Sequence, residues 1–258
     1  MKILLISVLV LILIIVFKRN TLIAIRAKML FAKGDSEGAI KCFARADKGG
    51  GLRAEQLMTY GFILLKSGRC EEARVALNRA HMSASKPQIR QRIKAIQALV
   101  EWKSGSLQNA IEMLEEVNAE FKTTAVYQDL GLLYILSGDK QKALEYNKEA
   151  YEYNSDDLVI TDNMAEAYAL CGDYTHAAEL YETLLEKEAH FPEPYYGYGL
   201  LLIDRGERER GIDVPRRTAA GKDHFHAFPP FHANASGAKR SIRCRPRQAA
   251  RRAPYRRN

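Results

Sequence analysis

Glycine recurs at positions 34, 68, 105, 138, 172 and 206, at intervals of 34, 37, 33, 34 and 34 residues. Alanine follows five of these glycines at a fixed distance of five: Ala39, Ala73, Ala110, Ala143 and Ala177. A period near 34 with small residues locked in phase is the mark of a repeat architecture, in which each unit buries its apolar face only by stacking on its neighbours. An array of this kind offers surface for holding partners, and that expectation frames the search for chemistry.

Residues 124–157, TAVYQDLGLLYILSGDKQKALEYNKEAYEYNSDD, show what one unit contains. Tyr127, Leu130, Gly131 and Tyr134 fall at i, i+3, i+4 and i+7, the spacing of one helix face. Gly138 then stops the helix, because a residue without a Cβ enters the left-handed conformation at no steric cost. Asp139 is placed to cap a second helix, in which Ala143, Asn147 and Ala150 share one side. A small–large–small triplet marks the second helix elsewhere: Ala39/Phe43/Ala46, Ala73/Leu77/Ala80, Ala110/Leu114/Val117 and Ala177/Tyr181/Leu184. The small residues let two helices approach, and the larger one fills the gap toward the next unit.

This pattern resembles the tetratricopeptide repeat (TPR) family, a helix-turn-helix unit of 34 residues. The resemblance covers about residues 20–212, phased as 20–53, 54–87, 91–124, 124–157, 158–191 and a truncated 192–212. It implies an all-α, right-handed solenoid of about five and a half repeats. Two units depart from the pattern. Arg26 stands where the first unit should be apolar, as a capping repeat allows. In the third unit the glycine phase turns Lys94, Gln97 and Glu101 inward, while Ile93, Ile96, Leu99, Val100 and Trp102 point elsewhere. That helix is expected to be rotated or out of phase, and the 37-residue interval, with Lys86-Pro87, to reflect a longer loop between repeats.

In TPR solenoids the first helices line the concave face. The resemblance therefore implies groove positions at Phe62 and Leu65, Leu99 and Trp102, then Leu132 and Ile135, with Asn163 and Glu166 further on. An apolar stripe with a tryptophan suits an amphipathic helix or an extended peptide, so the expected partner is a protein or peptide. Aliphatic and aromatic residues at this spacing also build cores, and the rotation of the third unit decides between groove and core for Trp102. Thr59, Phe62, Arg92 and Ile96 occupy the positions where some TPR domains clamp a C-terminal carboxylate, and they do not form that clamp.

The phosphate-loop, serine-hydrolase and zincin motifs are absent, so no catalytic, cofactor-binding or metal-binding residues are expected, and the chain is read as a scaffold with no enzymatic role. His81, His176 and His190 lie in different units. The four cysteines, Cys42, Cys70, Cys171 and Cys244, have no short spacing and are read as free thiols of a reducing compartment.

The N-terminus adds a location. Ile3–Phe17 is an uncharged run of 15 residues, about 22 Å long as a helix against a hydrocarbon core of roughly 30 Å. Snorkelling of Lys2, Lys18 and Arg19 and local thinning close the gap, so residues 1–19 are read as a retained transmembrane helix. A cleaved signal peptide is the rival reading, but the run passes straight into Lys18-Arg19-Asn20 without a small-x-small cleavage site. Lys18, Arg19, Arg26, Lys28 and Lys33 follow the run, which by the positive-inside rule leaves the repeats in the cytoplasm of a single-pass membrane protein, expected to be bacterial.

The basicity of the chain is confined to its end. Residues 213–258 carry 12 Lys/Arg against 2 Asp, whereas residues 1–212 carry 27 basic and 29 acidic groups. The repeats therefore show no basic stripe for nucleic acid. In the sixth unit Gly211 takes the alanine position and Pro215 the aromatic one, where proline removes a hydrogen bond and clashes with the preceding turn. The segment 213–258 has no leucine, five of the eight prolines and ten arginines, too little apolar surface to offset its ordering entropy, and is expected to be disordered. Two explanations stay open: a basic tail for anionic lipid or RNA, or a shift of reading frame near residue 212. His224, His226 and His232 within it are read as composition.

Overall fold

In the computed structural model of the chain, residues 20–48 and 51–221 are described, residues 216–221 by their backbone alone. The run Ile3–Phe17 and the tail beyond Gly221, with its three histidines, lie outside the described residues. Among the described residues no helix is long and apolar enough to cross a membrane.

The described residues form twelve helices and no strand. They are α1 (20–32), α2 (Ser36–Asp47), α3 (Ala54–Lys66), α4 (Cys70–Ser83), α5 (Pro87–Lys103), α6 (Leu107–Glu120), α7 (Thr124–Ser137), α8 (Lys140–Tyr153), α9 (Leu158–Cys171), α10 (Tyr174–Glu186), α11 (Glu193–Asp204) and α12 (Arg208–Gly221). In chain order they pair as six helix-turn-helix hairpins.

The six periodic glycines are the turns of those hairpins, each with φ between +73° and +101°. A residue with a Cβ held there costs roughly 1–2 kcal/mol, which explains why glycine is locked at this one phase. Beyond the turn, a carboxylate often starts the second helix: Asp35 accepts from Gly38 N, Asp139 from Lys142 N and Asp173 from His176 N.

A second set of small residues lies seven positions before each turn glycine: Ala27, Gly61, Ala98, Gly131, Ala165 and Gly199. The phased alanines of the second helices are all five fully buried, and Gly61 closes on Leu77 and the Ala73 carbonyl. The large residue between the small ones fills the hairpin, as Phe43, Leu77, Leu114 and Tyr181 do. Burying one such side chain stabilises the hairpin by about 1.5–3 kcal/mol. In the fourth repeat this place is taken by Asn147, whose Nδ2 donates to the carbonyls of Gly131 and Ala143 at 3.2 and 2.9 Å.

The chain divides into two compact units, the first containing α1–α4 and the second α5–α12. In the first, Phe43 stacks on Tyr60 with ring centroids 5.3 Å apart, and Arg79 of α4 holds both oxygens of Asp47 at the end of α2. In the second, helices adjacent in sequence pack on one another, and α7 also packs on α9 and α9 on α11. The first helices α7, α9 and α11 thus make a row. One core gathers Ala98, Ile111, Leu114, Val117, Leu130 and Leu133, and another gathers Ala165, Ala177, Tyr181, Leu184, Tyr198 and Leu201.

Two expectations are corrected. The sixth repeat is a complete hairpin, because α12 runs to Gly221 through Pro215 and past the boundary placed at residue 212. Gly211 and Gly199 explain this: a Cβ on Gly199 would lie 2.6 Å from the Gly211 carbonyl and 3.1 Å from the Pro215 ring. Two glycines bring the backbones close enough for the proline ring to serve as the filling side chain. The third repeat is neither rotated nor out of phase, since Ala98 is fully buried at the small position and Ile93 and Val100 are buried with it. Its extra residues lengthen α5 to 17 residues, leaving only Ala84–Lys86 between α4 and α5. Lys94 stays half-buried by pairing with Glu116 of α6. Cys42 and Cys171 are free thiols, as expected.

Candidate partner-binding face

The six residues expected to line a groove divide by depth. Leu65 and Ile135 are both 6% exposed and belong to the repeat interiors. Phe62, Leu99, Trp102 and Leu132 keep part of their surface uncovered. In the first unit, Phe62 meets Phe31 edge to face with centroids 6.5 Å apart, and Lys66 Nζ stands 6.0 Å from its ring. In the second unit, Leu99, Trp102 and Leu132 lie on α5 and α7. Trp102 is a rim residue: one side packs on the core that holds Ile135, and Lys103 Nζ lies 4.1 Å from the ring centroid. Asn163 departs from its expected place, since it is buried and donates Nδ2 to the Gln128 carbonyl at 2.9 Å, joining α9 to α7.

The second helices carry the polar clasps that hold the repeats in register. Tyr134 donates to Glu115 at 2.6 Å and Lys142 reaches the same oxygen at 2.7 Å. The lysine and the tyrosine hydroxyl together hold the Glu115 carboxyl below its usual range. Tyr127 and Lys122 repeat the arrangement on Glu149, at 2.7 and 2.9 Å. Tyr198 donates to Glu182, and its own pKa is pushed up to about 12 by burial and by that carboxylate. These groups are occupied structurally, tying first helices to second helices.

Further along that face the character changes from apolar to acidic. Asp162 of α9 is only 8% exposed, and Glu166 follows it one turn later. Glu193 begins α11, the helix packed beside α9. Burial first, and then Glu166 and Glu193, push the Asp162 carboxyl well above the usual carboxylate range. Sequence reasoning singled out Glu166 and missed Asp162. The signal was available in the four-residue spacing of the two carboxylates, which puts them on one helix face.

Two family models, both described as tetratricopeptide repeat, match residues 124–157 and 161–195, within α7/α8 and α9/α10 and into α11. Among solved structures, a tetratricopeptide repeat protein from Parabacteroides merdae ATCC 43184 is 18% identical, with a TM-score of 0.59 over 78% of this chain and 79% of that one. A thermophilic TPR protein of Thermus thermophilus is 21% identical, with a TM-score of 0.59 over 71% of this chain and 99% of that one. Pseudomonas aeruginosa PilF is 14% identical, with a TM-score of 0.58 over 79% and 93% of the two chains. At these identities the likeness is one of fold. No curated protein matches the sequence.

Proposed function

We propose that this tetratricopeptide-repeat chain is a membrane-anchored scaffold that holds a protein or peptide partner on the face of its first helices. The observation that carries the reading is the uncovered apolar surface of Leu99, Trp102 and Leu132, on helices whose cores are filled by other residues. In the second unit Leu99 and Leu132 stand six residues before the turn glycines of successive repeats, and with Trp102 they supply anchors for an apolar partner; Phe62 holds the same place in the first unit. The Ile3–Phe17 run supports the anchor. The cytoplasmic side rests on the flanking basic residues.

The test is affinity capture with the full chain in detergent, compared with the Phe62→Ala/Leu132→Ala variant. The variant is expected to keep its helical circular dichroism and lose a partner that the parent chain retains. An unchanged set of partners refutes the proposed face. Mass spectrometry of the purified chain checks the anchor: an N-terminus at Met1 or Lys2 is expected, and a start after Phe17 means cleavage and export.

A further inference from the structure

One face of α1 is apolar and uncovered. Leu22, Ile25 and Met29 fall at i, i+3 and i+7 and are 53%, 50% and 54% exposed. The opposite face does the packing: Ala24 and Ala27 are buried, and Phe31 meets Phe62 of α3. The core of the first unit therefore has no use for the three large side chains, and apolar side chains grouped in this way on a surface mark a place of contact. Basic residues border the stripe on both sides, Lys28 on one and Arg26 and Lys33 on the other, all exposed. None of these three is ion-paired among the described residues, and no acidic residue occurs between Asn20 and Lys33.

An apolar stripe edged by lysine and arginine suits a helix lying in the boundary of an anionic bilayer, with its apolar side chains among the acyl chains and its basic heads at the phosphates. A protein partner would have to supply an apolar surface edged by acid. The bilayer is instead brought to α1 by the chain itself, since the Ile3–Phe17 run ends two residues short of Asn20. We propose that α1 lies flat on the anionic lipid surface of the bilayer that receives Ile3–Phe17, with Leu22, Ile25 and Met29 inserted and Arg26, Lys28 and Lys33 on headgroup phosphates. The inference rests on the membrane-anchored reading above and adds to it a lipid class and an orientation. A helix running straight out of the bilayer would carry Met29, 12 residues after Phe17, about 18 Å past the hydrocarbon edge. A helix lying flat keeps Met29 at the depth of Leu22, and holds the first unit against the membrane.

The experiment uses the full chain reconstituted in vesicles of phosphatidylcholine with or without phosphatidylglycerol, the phosphatidylcholine carrying bromine on its acyl chains to quench nearby tryptophan. Trp102→Phe removes the one native tryptophan, and Met29→Trp on α1 or Met82→Trp on α4, an 86% exposed position, supplies a single reporter. Circular dichroism checks that each variant keeps its helices. With phosphatidylglycerol present, Met29→Trp is expected to lose about half of its emission, because an interfacial helix buries its apolar face about 5–10 Å into the boundary of headgroups and acyl chains. Met82→Trp is expected to keep its emission. Quenching at position 29 should fall in phosphatidylcholine alone and in Arg26→Gln/Lys28→Gln/Lys33→Gln. No quenching at position 29, or equal quenching at positions 29 and 82, overturns the docked helix, and quenching indifferent to both lipid charge and the triple substitution overturns its anionic surface. Emission at position 29 that is unquenched, blue-shifted and dependent on protein concentration identifies a second copy as the occupant and overturns the proposal too. An alkaline carbonate wash judges the anchor separately. Chain retained by the vesicles keeps the membrane-anchored reading standing when α1 fails, and chain released refutes the anchor whatever position 29 shows.

Discussion

Gly131 and Asn147 form the one hairpin crossing among the described residues where an asparagine takes the filling position, and their coupling can be worked out in advance. A Cβ on Gly131 would lie 2.3 Å from Asn147 Oδ1, 3.2 Å from its Cγ and 3.3 Å from Asn163 Nδ2. Contacts that short force the asparagine off its two carbonyl acceptors, at an overpacking cost of about 1–3 kcal/mol. Alanine in place of glycine within a helix recovers only about 0.5–1 kcal/mol of backbone entropy and propensity. Gly131→Ala is therefore expected to destabilise by about 1–2 kcal/mol net, in the range of other core shape changes. Asn147 Oδ1 is itself buried without a partner, so Asn147→Ala removes one unsatisfied atom together with two hydrogen bonds and costs less than a usual core truncation. In the Asn147→Ala background only the 3.3 Å approach to Asn163 Nδ2 remains, and Gly131→Ala should cost markedly less or become neutral. Urea denaturation of the four chains in the double-mutant cycle gives the coupling. Equal effects of Gly131→Ala in both backgrounds refute the idea that Asn147 is what requires a glycine at position 131.

Other perturbations follow from the same geometry. Gly172→Ala meets no atom within 4 Å, so its expected loss of roughly 1–2 kcal/mol comes from the left-handed backbone alone and is read by the denaturation midpoint. Asp157 caps α9 through Val159 N and Ile160 N and also accepts from Gln128, so Asp157→Ala is expected to cost about 1–2 kcal/mol and to raise amide exchange in the first turn of α9. Leu114→Ala, at a fully buried position, should cost about 2–5 kcal/mol in the same denaturation assay. The Asp162 carboxyl has its folded-state pKa raised, so its contribution favours the folded chain below the ordinary carboxylate range and is lost as pH rises through the folded value. Asp162→Asn is accordingly expected to raise the thermal midpoint in neutral buffer, with the gain shrinking in mildly acidic buffer; a gain that grows on acidification refutes the assignment.

Much of the fold was legible in the sequence because its decisive residues are set by backbone geometry. A left-handed turn admits glycine at little cost, and a helix crossing admits only small residues, so Gly34 to Gly206 and Ala39 to Ala177 report the hairpins directly. The third and sixth repeats were harder for a physical reason. Lys94, Gln97 and Glu101 look wrong for an inward face, yet an amphipathic stem and a partner such as Glu116 let a charged residue sit half-buried there. Pro215 looked like a helix breaker because its cost was counted without the glycine pair 199/211 that opens room for its ring. The binding face was legible in position but not in depth. Leu65 and Ile135 carry the same spacing as Phe62 and Leu132, and only the packing of neighbouring helices shows that the first two are interior. Asp162 escaped notice because its four-residue spacing to Glu166 reports a shared helix face but not burial.

The central claim is that the first-helix face, and not the second-helix face, meets the partner. Site-specific photo-crosslinking measures this directly, with a benzophenone amino acid placed at Leu132 on α7 or at Glu145 on the outer side of α8. In intact cells the account predicts a discrete crosslinked product from position 132 that weakens with Leu99→Ala, and none from position 145. Crosslinking from position 145 with none from position 132 would contradict it.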